Sequence, residues 1–234
     1  MFIQFIVATI ATVSLSIAMI IDSTAWHIRG LARVDERGLF ISKTNIFLYG
    51  GRFFSLLYMT SLAYLVDVGV SAVEIISVSA FGFFASAVAN HCILGLRTIR
   101  KPFVQAVTCV LRLPQRESVV YNNNFRMFST TTLGNHLFLF SSMATFIFSM
   151  GISIPYVIAS VYPEYRMTFN NLGQIINSLG MLMVLLLIDS RMYRDWDRNE
   201  LTESNEYYTA SRTFGLGFAS LLYITITSIF VILK

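Results

Sequence analysis

Asp22, Trp26, Arg29 and Arg33 recur at i, i+4, i+7 and i+11, a spacing that stacks them in one stripe if the chain is helical there. Such a stripe has two uses. It can face water as an ordinary solvated flank, or it can present fixed guanidinium forks to an anionic group such as a phosphate. Ser42, Asn45, Tyr49 and Arg52 share a second face, beside Gly50 and Gly51, whose missing side chains leave room for a helix or ligand to come close. Arg52 falls about seven residues into an apolar run, roughly 10 Å along a helix. An arginine near a bilayer centre costs about 2.5–3.5 kcal/mol on insertion scales, so it either snorkels outward or lines a polar site. Asn170, Gln174 and Asn177 form a third face, with Asp189 and Arg191 closing the same segment. Amides in lipid serve as interhelical glue, or three on one face mark a hydrated surface. Arg212 lies at the start of the last apolar segment. Asp22 is the acid nearest the apolar core and needs a cation, for which Arg29 and Arg52 are the nearest candidates in the chain. Ser142, Thr145, Ser149 and Ser153 repeat at roughly helical spacing and read as a packing face. Catalytic chemistry finds no support: His27, His91 and His136 sit on separate segments without metal-ligand spacing, and no H-E-x-x-H, G-x-S-x-G or P-loop occurs. No enzyme activity, metal or cofactor is expected.

The elements that must carry these residues are membrane spans. The chain has 234 residues, of which 55% are hydrophobic and only 13% charged, against about 25% charged in soluble domains. Hydropathy gives six segments long enough for a ~30 Å hydrocarbon core: residues 2–21, 45–66, 73–95, 134–160, 168–189 and 208–232. The expected fold is all-α, one transmembrane transporter domain over residues 1–234. The first segment has no basic residue before it, unlike a cleaved signal peptide, and reads as a retained span. Cys92 and Cys109 read as free thiols. The longest connection, residues 96–132, holds "FVQAVTCVLR", which suits the membrane interface, and "YNNNF", a turn. Thirteen of the 17 Lys and Arg residues fall in the first, third and fifth connections, against Arg166 alone in the second and fourth. The positive-inside rule then places both termini outside. "IDS" at 21–23 followed by "FSLLYMT" at 54–60 is echoed by "IDS" at 188–190 and "ASLLYIT" at 219–225, a weak internal repeat of helices 1–2 as 5–6. Basic groups towards one side and neutral amides towards the other suit a ligand with an anionic polar head and an apolar tail. The net charge of +4 gives no reason to expect a nucleic-acid partner.

Four signatures carry a resemblance: D-x6-R (Asp22, Arg29), S-x2-N-x6-R (Ser42, Asn45, Arg52), N-x11-D-S-R (Asn177, Asp189, Arg191) and S-R-x2-G (Ser211, Arg212, Gly215). In this order, over helices 1, 2, 5 and 6, the chain resembles the Amj family of bacterial lipid II flippases. Helices 3 and 4 match only in hydropathy, and Trp26 stands where a tyrosine is expected. The resemblance implies transfer of undecaprenyl-pyrophosphate-linked disaccharide-pentapeptide from the inner to the outer leaflet of the bacterial cell membrane, for peptidoglycan synthesis. On that reading Arg29, Arg52 and Arg212, with Asn45, engage pyrophosphate. Asp22, Asp189 and Arg191 pair charges or exchange protons, and Asn170, Gln174 and Asn177 receive sugar or peptide groups. A flippase for another polyprenyl-linked glycan or lipid carrier, or a non-transporting cell-envelope scaffold, are the alternatives. Six helices make a thin wall around so large a headgroup, so a homodimer is expected, through the Ser/Thr face of helix 4 and the glycine-containing stretches.

Overall fold

A computed structural model describes residues 2–114 and 130–232. Arg116, Arg126 and the expected turn at "YNNNF" lie outside the described residues. Among the described residues the protein is all-helical, and six helical segments are long and apolar enough to cross a membrane. It is a multi-pass membrane protein. The first three spans are α1 (Phe2–Arg29), α2 (Arg37–Asp67) and α3 (Ala72–Asn90), the last continued by a π-helical turn, His91–Gly95. Then come α4 (Arg97–Val110), the single turn α5 (Thr130–Leu133) and the fourth span, α6 (His136–Val161). The fifth span is composite: α7 (Arg166–Met183), a π-helical stretch Val184–Asp189, and α8 (Ser190–Asp197). The sixth is α9 (Leu201–Ile232).

Local chemistry sets the joints. Ser71 caps α3 in a capping box, accepting from the Glu74 N–H while the Glu74 carboxylate accepts from the Ser71 N–H, so two orphan donors are satisfied at once. Gly69, at φ +76, supplies the left-handed residue that ends α2, and the N–H of Val70 returns to the Leu65 carbonyl at 3.0 Å. Asn199 does the same at φ +61 between α8 and α9, with the Glu200 N–H on the Asp195 carbonyl at 2.8 Å.

The helices overrun their apolar segments. Residues 22–29, 37–44, 190–197 and 201–207 were expected outside the spans, yet all lie in continuous helix, adding about two turns to each at one end. This end carries Arg29, Arg37, Arg100 and Arg194, and is called the basic end below. Here α4 holds Val104 with Ile28, Phe40, Leu94 and Leu113 in a small core, while Ile99 and Val110 remain exposed, as an interfacial helix requires.

In the membrane, α1 and α2 pack as a hairpin, α3 lies against α1 and α9, and α6 holds α7 and α9. Leu15, Tyr58, Leu62, Phe83, Ile152, Leu216 and Tyr223 from these helices form the main core. Three hydroxyls of α6 beside it bond their own helix, Thr145 to the Ser141 carbonyl, Ser149 to Thr145 and Ser153 to Ser149, at 2.6–2.8 Å, while Ser220 of α9 donates across to the Ala80 carbonyl of α3. Ser142, Thr145, Ser149 and Ser153 are therefore all buried inside the protomer, and this face is not available to a second copy as expected. The fifth and sixth spans do not pair as α1 and α2 do. They meet through α8 at the basic end, while α7 packs on α6.

Candidate functional site

At the basic boundary of the apolar core, α1, α2, the fifth span and α9 bring together two acids and two arginines. Asp22 lies seven residues before the end of α1 and Arg212 eleven after the start of α9, about 10 and 16 Å along their helices. Nη2 of Arg212 pairs with Oδ2 of Asp22 at 2.6 Å. Tyr208 donates its hydroxyl to the same carboxylate oxygen at 2.8 Å and accepts from Arg212. Nη1 of Arg212 reaches Thr145 of α6 at 3.1 Å. That reach depends on Gly215, one turn further along α9: a Cβ there would stand 2.7 Å from the Ser142 carbonyl oxygen. The missing side chain lets α9 close on α6 and carries Arg212 to it.

Arg29 is buried, at 3% exposure, and is held by neutral groups. Nε donates to Thr44 at 2.9 Å, Nη2 to Asn45 at 2.8 Å and Nη1 to the Tyr193 hydroxyl at 3.2 Å. Its guanidinium also lies 4.5 Å from the Trp26 ring centre, a cation–π contact. Trp26 in turn packs edge-on against Tyr193 and Tyr208, so one aromatic joins the two arginine sites. Asp189, at the end of the π-helical stretch, lies within Coulombic range of Asp22, Arg29 and Arg212. The four charges balance. In a low-dielectric setting a balanced cluster is far less costly than any of its members alone.

The structure thus unites Asp22, Arg29, Asn45, Asp189 and Arg212, and departs from the sequence reading at several other positions. The partner of Asp22 is Arg212, not Arg29 or Arg52. Arg33 lies beyond the end of α1 and is exposed, so the stripe ends at Arg29. Arg52 is fifteen residues into α2, exposed, with its guanidinium 5.1 Å from the ring centre of its own neighbour Tyr49. Arg191 pairs with Asp195 of the same helix at 3.6 Å, outside the cluster. Of the glycines beside Arg52, Gly51 receives Ile21 of α1 and so serves helix packing, while Gly50 faces open space. Asn170 and Gln174 are exposed on α7, whereas Asn177 turns towards Gly151 of α6, so the three amides do not form one surface.

Sequence reasoning does not single out three contacting residues, Thr44, Tyr193 and Tyr208, and reads Thr145 only as a packing residue. Tyr208 stands four residues before Arg212 and Tyr193 four after Asp189, so helical spacing could have found both. A second buried network lies behind the first. Nε2 of His27 shares a hydrogen bond of 2.8 Å with Thr209, Asn90 donates to Thr213 at 2.9 Å, and Arg100 of α4 pairs with Glu206 at 3.3 Å. It ties the interfacial helix to α9.

Between α2 and α7 the protein is unpacked, although the seam is tied at both ends. At the basic end Arg29 bridges Asn45 and Tyr193, and Arg37 pairs with Asp197 at 2.8 Å. At the opposite end Arg166 pairs with Asp67 and donates to the Val66 carbonyl. Beside that pair is a cavity of about 160 Å³ whose wall includes Val66, Tyr156 and Asn170. No family model, no curated protein and no solved structure matches this chain.

Proposed function

We propose that this chain is a flippase for a polyprenyl-pyrophosphate lipid, with lipid II as the substrate its Amj-like signatures favour. It would move the peptidoglycan precursor from the inner to the outer leaflet of the bacterial cell membrane. The observation that carries this reading is the balanced cluster of Asp22, Arg29, Asp189 and Arg212 beside a seam between α2 and the fifth span. An anionic headgroup needs guanidinium donors at the boundary of the apolar core, and a prenyl tail needs a lateral opening to stay in lipid. In this reading the termini lie outside and the basic end faces the cytoplasm, in line with the bias of Lys and Arg. The echo between helices 1–2 and 5–6 belongs to it as a sequence duplication only. Arg29 and Arg212 hold pyrophosphate, Arg52 meets it two turns deeper along the seam, and Asn170 and Gln174 receive the sugars or peptide beyond. No bond is made or broken.

The test is surface accessibility of lipid II in cells depleted of other flippases. Expression of the chain restores outer-leaflet precursor, and Arg52→Gln abolishes it at normal protein level. A chain that leaves the precursor inside sinks the proposal. Restoration of a different polyprenyl-linked glycan instead would reassign the substrate within the same class. A second reading, a cell-envelope scaffold, draws on one observation: all three guanidinium nitrogens of Arg29 are used within the protomer. A scaffold tolerates Arg52→Gln.

A further inference from the structure

The hold of Asp22 on Arg212 is incomplete. Its Oδ2 takes Nη2 of Arg212 at 2.6 Å and the Tyr208 hydroxyl at 2.8 Å. Nε of Arg212, which shares an edge of the planar guanidinium with Nη2, is buried and has no acceptor. Buried donors are nearly always satisfied, and that edge of an arginine is built to receive two oxygens side by side. Asp22 pairs through one oxygen with Nη2 and leaves Nε without an acceptor. The side chain of Asp22 is 34% exposed against 9% for Arg212, and Tyr208 is fully buried. The acid therefore stands on the open side, with the donors behind it. Asp189 is a second acid within Coulombic range of both Asp22 and Arg212, and like charges repel.

We propose that Arg212 and Tyr208 form a phosphate subsite in which Asp22 is a resident substitute for the ligand, displaced when a phosphate enters. Phosphate oxygens take both Nη2 and Nε of Arg212, together with the Tyr208 hydroxyl, and the Asp22 carboxylate swings to the open side. This rests on the anionic-lipid reading above. It adds Tyr208 as a ligand-contacting residue and makes Asp22 a competitor that sets how readily ligand leaves. A carboxylate that leaves and returns keeps the guanidinium neutralised before and after each ligand, so release does not strand a buried charge.

The probe is radiolabelled farnesyl pyrophosphate, equilibrated with the full chain in phosphatidylcholine nanodiscs, whose zwitterionic lipid does not compete for the site. Asp22→Asn is expected to bind at least tenfold more tightly than wild type, and adding Tyr208→Phe to it removes most of that gain. Equal or weaker binding by Asp22→Asn, with wild-type binding intact, overturns the displacement and leaves the anionic-lipid reading standing. No binding by wild type overturns both. Should Asp22→Asn fail to fold, the wild type decides. Infrared difference spectra with ¹³C-aspartate must show a carboxylate band shifting on ligand addition, and an unmoved band overturns the displacement.

Discussion

Replacing Arg29 with lysine separates a charge from a shape. The guanidinium makes three side-chain bonds, to Thr44, Asn45 and Tyr193, and an ammonium on a shorter, non-planar head keeps one of them. Two lost charge-assisted bonds at about 1.5–3 kcal/mol each give an upper bound of roughly 3–6 kcal/mol. The bound is not reached. Asn45 is exposed and Tyr193 only half-buried, so water takes over their acceptor oxygens, while Thr44 still donates to the Phe40 carbonyl at 2.7 Å. The cation over Trp26 survives in lysine. About half the bound, ~1.5–3 kcal/mol, is the expected destabilisation. It is read from unfolding titrations with sodium dodecyl sulfate in mixed micelles, followed by circular dichroism. Arg33→Lys is the control, because Arg33 is exposed beyond the helix end and should stay within about 0.5 kcal/mol of wild type. Arg37 would be a poor control, since it bonds Asp197, the Trp196 carbonyl and Asn199. Wild-type stability of Arg29→Lys would refute the argument that neutral groups hold this arginine by its geometry.

Three further outcomes are expected. In a double-mutant cycle, Asp22→Asn and Arg212→Gln are each destabilising, and the double variant falls short of their sum by about 1–3 kcal/mol; additivity would deny the ion pair its role. Gly173→Ala puts a Cβ 2.5 Å from Pro155 Cγ and 2.9 Å from the Gly151 carbonyl, and loses roughly 1–3 kcal/mol by overpacking. Gly50→Ala meets nothing within 4 Å and gains up to about 1 kcal/mol of helix propensity, so the same titration must move in opposite directions for the two. In a background free of Cys92 and Cys109, cysteines at Gly69 and Tyr165 react with an impermeant thiol reagent from outside intact cells and one at Asn199 does not; labelling at Asn199 reverses the orientation.

The spans were legible because hydropathy registers any run long enough to cross a bilayer. Their overrun was not. Residues 22–29 and 201–207 are polar, and polarity alone does not separate a helix from a loop when the partners that stabilise it are far along the chain. Asp22 illustrates the limit. Spacing offered the arginines of helices 1 and 2, whereas its partner lies on the sixth span, brought near by how α9 packs on α6 at Gly215. Arg52 is legible as an arginine inside an apolar run, but hydropathy does not show that its guanidinium lies over the Tyr49 ring of its own helix. The spacing of the α6 serines marks them as packing residues, and that packing lies within the protomer.

The π-helical stretch at Val184–Asp189 has a mechanical meaning. Such a stretch holds one residue more than the α-helix it interrupts. If it rewound to regular α geometry, everything beyond it would advance by ~1.5 Å and turn by about 100°. The half before it, α7, is seated on α6 by Gly173 and Gly180 and would stay in place. Asp189 and Tyr193 would rotate away from Arg29 together, in a single step and without a bend in the span. The fifth helix is a screw with one spare thread, stored where its anchored half meets the half that faces the charges.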